Sequence, residues 1–324
     1  MRILVIGATG YLGFHVSEYL NSKNHEVVGF VRNPKKAKIL DQVDIKYVVG
    51  DVNDPDSIVK HLDNFDAVVN CAGYVAGKGS WKTFRSINAD GPKNIAEAMK
   101  EKGIKRLIHI SSIAAYGDVG MGGDETTPIQ KTSWFKYGVS KREGEENLEI
   151  IPELDLTMLR PPHIVGRRDR SGFIPMLYHT TKRYPILIDE GAAILPLVYV
   201  DDVCHAIELC LENNETIGEI YNTVSSEQPT VRDVVEQFHV EMSIPLPTIS
   251  ISFKSAFRKA RLNEYLSMLF KVKLVSTRMN IVLAGRSTHF NSDKIIKLGW
   301  KSSKTTNEMI SEWCDWRKEF EKNR

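Results

Sequence analysis

Tyr137-Gly138-Val139-Ser140-Lys141 sets a phenol and an ammonium four residues apart, one helical turn, with hydroxyls upstream at Ser111 and Ser112 where an apolar run ends. An unperturbed tyrosine titrates at about 10, which makes it a poor base at neutral pH. A lysine on the same helical face favours the phenolate, and positive charge on a cofactor would add to this. A serine hydroxyl bonded to a substrate oxygen would complete a proton-relay site. The spacing alone is common on helix surfaces, so its meaning depends on the elements that position it.

The first of those elements opens the chain. Arg2-Ile3-Leu4-Val5-Ile6 is a short aliphatic run without alternation, the pattern of a strand buried on both faces. Gly7-Ala8-Thr9-Gly10-Tyr11-Leu12-Gly13 follows at once, Phe14 to Leu20 continues with helical spacing, and Glu26 to Val31 reads as a second strand. The glycines permit a tight turn and close backbone approach, and the helix N-terminus offers free N–H groups to a pyrophosphate. A strand before the loop, a helix after it and a strand beyond form the context that a dinucleotide site requires.

The end of the second strand addresses which dinucleotide. An NAD site usually has an Asp or Glu about 20 residues on, bonded to the ribose 2′-hydroxyl. Here the chain reads Arg32-Asn33-Pro34-Lys35-Lys36, with no carboxylate until Asp41. A guanidinium at that position can hold a 2′-phosphate bidentately, whereas a carboxylate would repel it. NADP(H) is therefore expected over NAD(H).

Composition narrows the class. At 324 residues the chain can form one large α/β unit with a smaller lobe, and a net charge of +2 gives no global argument for nucleic acid. Cys71, Cys204, Cys210 and Cys314 form no C-x-x-C and show no metal spacing with the nine histidines, so reduced cytoplasmic thiols and no metal are expected. The first strand opens the sequence, so no signal sequence is expected, and no apolar run approaches the roughly 20 residues of a membrane span.

Strand and helix patterns alternate for two-thirds of the chain. Lys46–Val49 is a third strand ending in Gly50-Asp51-Val52, and a helix is expected from Asp54 to Leu62. Asp66–Cys71 is a fourth strand followed by Ala72-Gly73, Asn88–Lys102 is helical, and Arg106–Ile110 is a fifth strand delivering Ser111 and Ser112. A glycine-rich loop, Gly117 to Thr132, precedes the helix carrying Tyr137 and Lys141, and Leu156–Leu159 leads into Arg160-Pro161-Pro162. Ligands in open α/β sheets bind beyond the carboxyl ends of the strands. Gly7, Asp51, Ala72, Ser112 and Pro161 all fall there.

These residues resemble the extended short-chain dehydrogenase/reductase family over nearly the whole chain. The resemblance implies a Rossmann-type doubly wound parallel sheet with a smaller, mainly C-terminal α+β substrate lobe. It makes Gly7-x-x-Gly10-x-x-Gly13, with Thr9, Tyr11 and Leu12, the cofactor loop, Asp51 and Val52 the adenine contacts, and Ala72-Gly73 the end of the fourth strand. Ser112, Tyr137 and Lys141 match the catalytic triad; Ser112 rather than Ser111 fits because Ser112 to Gly117 has the family's Ser-x-x-x-Tyr-Gly spacing. Pro161 to Ile164 are expected to line the nicotinamide pocket through backbone contacts. Asn88 matches a family asparagine that orders the sheet end, and Asp201 or Asp202 is expected to cap a helix.

Family dehydratases carry Asp-Glu directly after the catalytic hydroxyl; Ile113-Ala114 stands there, which disfavours elimination. Epimerases retain NAD and have little need of a 2′-phosphate reader. Arg160 to Asp169, Gly218 to Thr223, and Phe290 to Lys294 with Leu298-Gly299-Trp300 resemble the 3β-hydroxysteroid dehydrogenase and dihydroflavonol reductase branch, from whose steroid subgroup, commonly NAD-dependent, Arg32 departs. The implied reaction is NADP(H)-dependent interconversion of a carbonyl and a secondary alcohol on a small, apolar molecule that is sterol-, flavonoid- or aldehyde-like. Lys141 would bond the nicotinamide ribose and lower the Tyr137 pKa, Ser112 would bond the carbonyl oxygen, and Tyr137 would deliver the proton.

Two alternatives stand beside that reading. One is a nucleotide-sugar epimerase or reductase using NAD(P), with Arg167, Arg168 and Arg170 on a substrate pyrophosphate; the other is a non-catalytic NADP-sensing protein. The expected organisation is interleaved, with 1–165 and 196–224 holding the cofactor and 166–195 and 225–324 forming the substrate lobe, in a monomer or homodimer. Residues 253–273 are basic and amphipathic, which fits a helix docked on its own domain, a lid, or a peripheral contact with anionic lipid.

Overall fold

The structure, a computed structural model, describes residues 1–75, 79–117, 120–130, 135–270 and 277–323. Its strands are β1 (Arg2–Ile6), β2 (Glu26–Val31), β3 (Lys46–Val49), β4 (Ala67–Asn70), β5 (Arg106–Ile110) and β6 (Asp155–Arg160). Beyond them lie β7 (His163–Val165), β8 (Ile186–Ile188), β9 (Leu197–Tyr199), β10 (Ile220–Asn222) and β11 (Ile249–Ile251). A seven-stranded parallel sheet runs in the order β10-β6-β5-β4-β1-β2-β3, which places the topological switch point between β1 and β4. This is the expected Rossmann-type α/β fold.

Period-2 alternation divides each central strand between two cores. Ile3, Val5, Val69 and Ile108 face a cluster that includes Phe14 and Val16 of helix Tyr11–Ser22 and Val203 and Ile207 of helix Val200–Glu212. Leu4, Ile6, Val68 and Leu107 face the opposite cluster, with Ile95 and Met99 of helix Gly91–Glu101 and Leu148 of helix Lys136–Glu149. Both faces of the sheet are thus covered, as the non-alternating strand sequences require.

Outside the main sheet, β7 pairs with β9 and β8 with β11, both parallel. Helices Phe173–Arg183, Val231–Met242 and Thr306–Lys322 meet at a cluster of Tyr178, Phe238 and Trp313, with ring centroids 5.4–5.6 Å apart. The Trp313 indole donates to the Asp169 carbonyl at 3.0 Å, tying this helical group to the loop after β7.

Two helices differ from their sequence patterns. The one expected over 54–62 runs only from Pro55 to Val59, and the chain then turns so that Leu62 and Phe65 enter the core, with Asn64 at positive φ. The helix expected from Asn88 starts earlier, as Trp81–Arg85, and passes through a wide, π-type turn over Ser86–Asp90 before Gly91–Glu101. Pro92 has no N–H to return to the Asn88 carbonyl, so the backbone widens there. Gly144 of the Tyr137 helix packs on that carbonyl, where a Cβ would come within 2.1 Å of the oxygen.

Candidate active site

Backbone packs on backbone at the carboxyl ends of β1 and β4. Gly7 has φ +82°, and a Cβ on it would lie 2.9 Å from the Ala72 nitrogen; a Cβ on Gly13 would lie 2.2 Å from the Gly7 carbonyl oxygen. Gly10 N–H donates to that same carbonyl at 2.8 Å. Gly10 is the N-cap of helix Tyr11–Ser22, no side chain caps it, and its first turn holds no acidic residue. The first N–H groups, those of Tyr11, Leu12 and Gly13 among them, have no helical acceptor and suit a phosphate group. The loop is therefore a cradle that fits a pyrophosphate and that any side chain at Gly7 or Gly13 would fill. Thr9 sits half-buried at its turn. The Tyr11 ring leans the other way, edge-on to His15 at 5.4 Å.

The Ser112, Tyr137 and Lys141 side chains converge on the next strand ends. Ser112 is buried at the start of a short 3-10 turn, Ile113–Tyr116, and its Oγ accepts from Ala114 N at 3.2 Å. Gly138 lets the Tyr137 helix lie directly on this turn, since a Cβ there would come within 2.3 Å of the Ala114 oxygen. The Tyr137 phenol lies beside the Ser112 hydroxyl, which favours its ionised form. Lys141 is buried, donates from Nζ to the Ile110 carbonyl at 2.8 Å, and lies 3.4 Å from where a Gly73 Cβ would be.

The electrostatics differ from the sequence expectation. Burial raises the Tyr137 pKa above its ordinary value, opposed only by the Ser112 hydroxyl, and Lys141 does not depress it. The ammonium is spent on the Ile110 carbonyl instead of the phenol. Burial also lowers Lys141 to about 8, against the attraction of Glu145 and Cys71. The phenol is therefore a protonated donor at neutral pH, with a serine hydroxyl beside it.

Polar side chains hold these strand ends in register. Asn88 accepts from Tyr74 N at 2.8 Å and donates to the Tyr74 carbonyl and to Ser140 Oγ at 3.0 and 2.9 Å, fastening the segment after β4 to the Tyr137 helix. Asn70 accepts from Ala72 N at 3.1 Å and meets His109 Nδ1 at 3.1 Å. Ser111 N–H bonds the Leu159 carbonyl, while its buried hydroxyl has no partner among the described residues. Ile113 N–H bonds the Pro161 carbonyl at 3.2 Å, so buried Pro161 is locked to the Ser112 turn; half-buried Ile164 follows in β7.

One part of the site was missed in the sequence. Arg160, at the end of β6, is 2% exposed and donates to the Glu145 carboxylate from Nε and Nη2 at 2.8 and 2.7 Å. Its guanidinium lies 4.3 Å from the Tyr116 ring centroid, and the Tyr116 hydroxyl donates to Asn222 Oδ1 at 2.9 Å. The available signal was spacing: Glu145 stands one helical turn beyond Lys141, and an arginine ending an apolar strand needs a buried carboxylate.

The periphery sorts differently. Arg32 is exposed at the end of β2 and forms no hydrogen bond or ion pair among the described residues. Asp51 accepts from Asn53 at 2.9 Å, and Val52 is buried with its carbonyl bonded by Asn94. Asp201 and Asp202 do not cap helix Val200–Glu212, whose N-cap is Tyr199: Arg167 draws away Asp201 at 2.9 Å, and Asp202 accepts from Ser303 N. Arg167 is also paired with Glu18, Arg168 covers the Phe14 ring and bonds Gln42, and Arg170 covers Phe320. These arginines are engaged in the fold rather than held free for a substrate. In the glycine-rich loop, Asp118, Val119, Lys131 and Thr132 lie outside the described residues, as do Lys271 and Lys273 of the basic segment.

A family model for the NAD dependent epimerase/dehydratase family matches residues 3–223. The chain belongs to this family. Its relatives include the 2-alkyl-3-oxoalkanoate reductase of Stenotrophomonas maltophilia, 26% identical over 84% of this chain and 85% of that one. They also include the N-acetyl-alpha-D-glucosaminyl-diphospho-ditrans,octacis-undecaprenol 4-epimerase of Escherichia coli O157:H7, 24% identical over 95% of this chain and 92% of that one. The UDP-glucuronic acid 4-epimerase of Bacillus cereus, solved with NAD, shares the fold at a TM-score of 0.79 and 19% identity, covering 98% of this chain and 99% of its own. The protein is thus an NAD(P)-dependent enzyme of the extended short-chain dehydrogenase/reductase type.

Proposed function

We propose that this family member is an NADP(H)-dependent oxidoreductase that interconverts a carbonyl and a secondary alcohol on a small, apolar substrate. The observation that carries the reading is the placement of the Tyr137 phenol beside the Ser112 hydroxyl, with burial raising the phenol pKa further above neutrality. Two adjacent hydroxyls, one a ready proton donor, suit a carbonyl oxygen that gains negative charge as it is reduced. When bound, the nicotinamide supplies the hydride for reduction or accepts it in the reverse direction. Ser112 orients and polarises the substrate oxygen, and Tyr137 passes its proton to that oxygen. Lys141, anchored beside Gly73 by the Ile110 carbonyl, bonds the nicotinamide ribose. Gly7, Gly10 and Gly13 hold the pyrophosphate, Asp51 and Val52 flank the adenine, and Pro161 to Ile164 wall the nicotinamide side.

Arg32 supports NADP(H): it is an unpaired guanidinium where an NAD site would present a carboxylate. Steady-state kinetics with both cofactors test this. NADPH should show a KM lower than NADH by about 10- to 100-fold, the worth of a charge-assisted hydrogen bond, and Arg32→Ala should erase most of the difference. A wild-type preference for NADH would refute the role of Arg32. Nucleotide-sugar epimerisation is the second reading, favoured by the epimerase relative that aligns over 95% of this chain. Arg167, Arg168 and Arg170 do not support it, being occupied within the fold.

A further inference from the structure

Helix Phe253–Phe270 has two faces of different character. Ala256 and Ala260 are buried, and Glu264 accepts from Arg278 N and Nε, both at 2.7 Å, so this side rests on the neighbouring helix Arg278–Gly285. Lys254, Arg258, Leu262 and Tyr265 recur at spacings of four, four and three residues and occupy the opposite side, flanked by Lys259 and Arg261. All six are exposed, and Phe270 adds a further ring at the helix end; Leu262, Tyr265 and Phe270 show 56%, 56% and 69% of their surface. Among the described residues none of these four cations forms an ion pair, and the one carboxylate of the helix is turned inward.

We propose that this face docks on an anionic lipid bilayer, the helix lying in the plane of the interface. Large apolar side chains interleaved with cations match the two layers of such a surface, headgroup charge and acyl boundary, and the carboxylate at the helix start, Asp189, is engaged by Phe253 N at 3.1 Å. An aqueous face would gain nothing from exposing Leu262 and Tyr265 together, and the helix from Lys254 to Tyr265, rising about 1.5 Å per residue, offers roughly 17 Å of contact. No described helix is long and apolar enough to cross a membrane, so the contact is peripheral. The inference does not depend on the reaction proposed above.

Co-sedimentation of the full-length protein with phosphatidylcholine vesicles, with and without phosphatidylglycerol, tests it. Wild type should pellet only with the anionic vesicles, and less as salt rises. Arg258→Glu/Lys259→Glu/Arg261→Glu should weaken binding by at least about 100-fold, at roughly fivefold per basic residue lost. Leu262→Ser/Tyr265→Ser should weaken it on a second axis, leaving the salt dependence in place. Both variants should retain wild-type melting and nicotinamide nucleotide binding, because these side chains touch neither core nor cofactor loop. Wild-type protein that stays in the supernatant with both vesicles overturns the proposal, as does a charge-reversed variant that pellets like wild type. A concentration-dependent dimer, dissolved by Leu262→Ser/Tyr265→Ser in the absence of vesicle binding, would assign the face to a second copy and equally overturn it.

Discussion

The cofactor end of the sheet and the helical pair Phe253–Phe270 and Arg278–Gly285 are built on opposite principles. At the sheet end, main chain meets main chain: Gly7 against Ala72, Gly13 against the Gly7 carbonyl, Gly138 against Ala114 and Gly144 against Asn88. Each contact admits only glycine, because a backbone neighbour cannot move aside. In the helical pair the close contacts are between side chains. A Cβ on Gly285 would meet Ile188 Cγ2 at 2.7 Å and a Phe253 ring atom at 2.9 Å, and helix Arg278–Gly285 has no buried residue. The sheet end is thus closed by main chain that cannot yield, and the flank by side chains that can re-pack.

Changes at the two regions should separate accordingly. Tyr137→Phe removes the only proposed proton donor and should lower kcat by about 10²- to 10⁴-fold with cofactor affinity intact, measured by steady-state turnover and cofactor titration. Near wild-type turnover would end the role assigned to the phenol. Gly13→Ala should cost about 1–3 kcal/mol of stability and most of the cofactor affinity, because it forces two backbone segments apart. Gly285→Ala should cost under about 1 kcal/mol, since Ile188 and Phe253 can re-pack and alanine favours the helix. Thermal melts of the pair, with and without cofactor, check the contrast; equal losses would erase it.

A smaller effect follows from pH. His15 is 1% exposed on the helix after the cofactor loop, and burial, reinforced by Arg167, lowers its pKa to about 4. Between its ordinary value of about 6.5 and 4 the unfolded chain takes up a proton that the folded one refuses, so stability falls as pH drops through that window. Urea midpoints from pH 7 to 4 should flatten in His15→Gln by at most roughly 3 kcal/mol. His163, likewise held at about 4 by burial, keeps part of the slope.

The contrast also explains what could be read from the residues. The strand order, the glycine loop and the meeting of Ser112, Tyr137 and Lys141 were legible because each demands particular residue types at fixed spacing. The direction of the Tyr137 shift was not, because it is set by burial, which only the folded chain decides. Arg160 and Glu145 were overlooked for a similar reason: a buried pair has no local signature. Asp201 and Asp202 carried a cap signature that Arg167 and Ser303 override. The basic helix was legible as amphipathic, but only the fold decides that Ala256 and Ala260 face inward and the cations with Leu262 and Tyr265 face out.

Net carbonyl reduction with Tyr137 as the proton source is the reaction proposed for this site. Its most direct test is turnover of NADPH deuterated at the transferable position with a panel of ketosteroids, aromatic ketones and aldehydes, followed by mass analysis of the products. Wild type should form an alcohol carrying one deuterium on the former carbonyl carbon, and Tyr137→Phe should not. Protein that keeps NAD through gel filtration and inverts a nucleotide-sugar, with no net NADPH oxidation on any member of the panel, would contradict it.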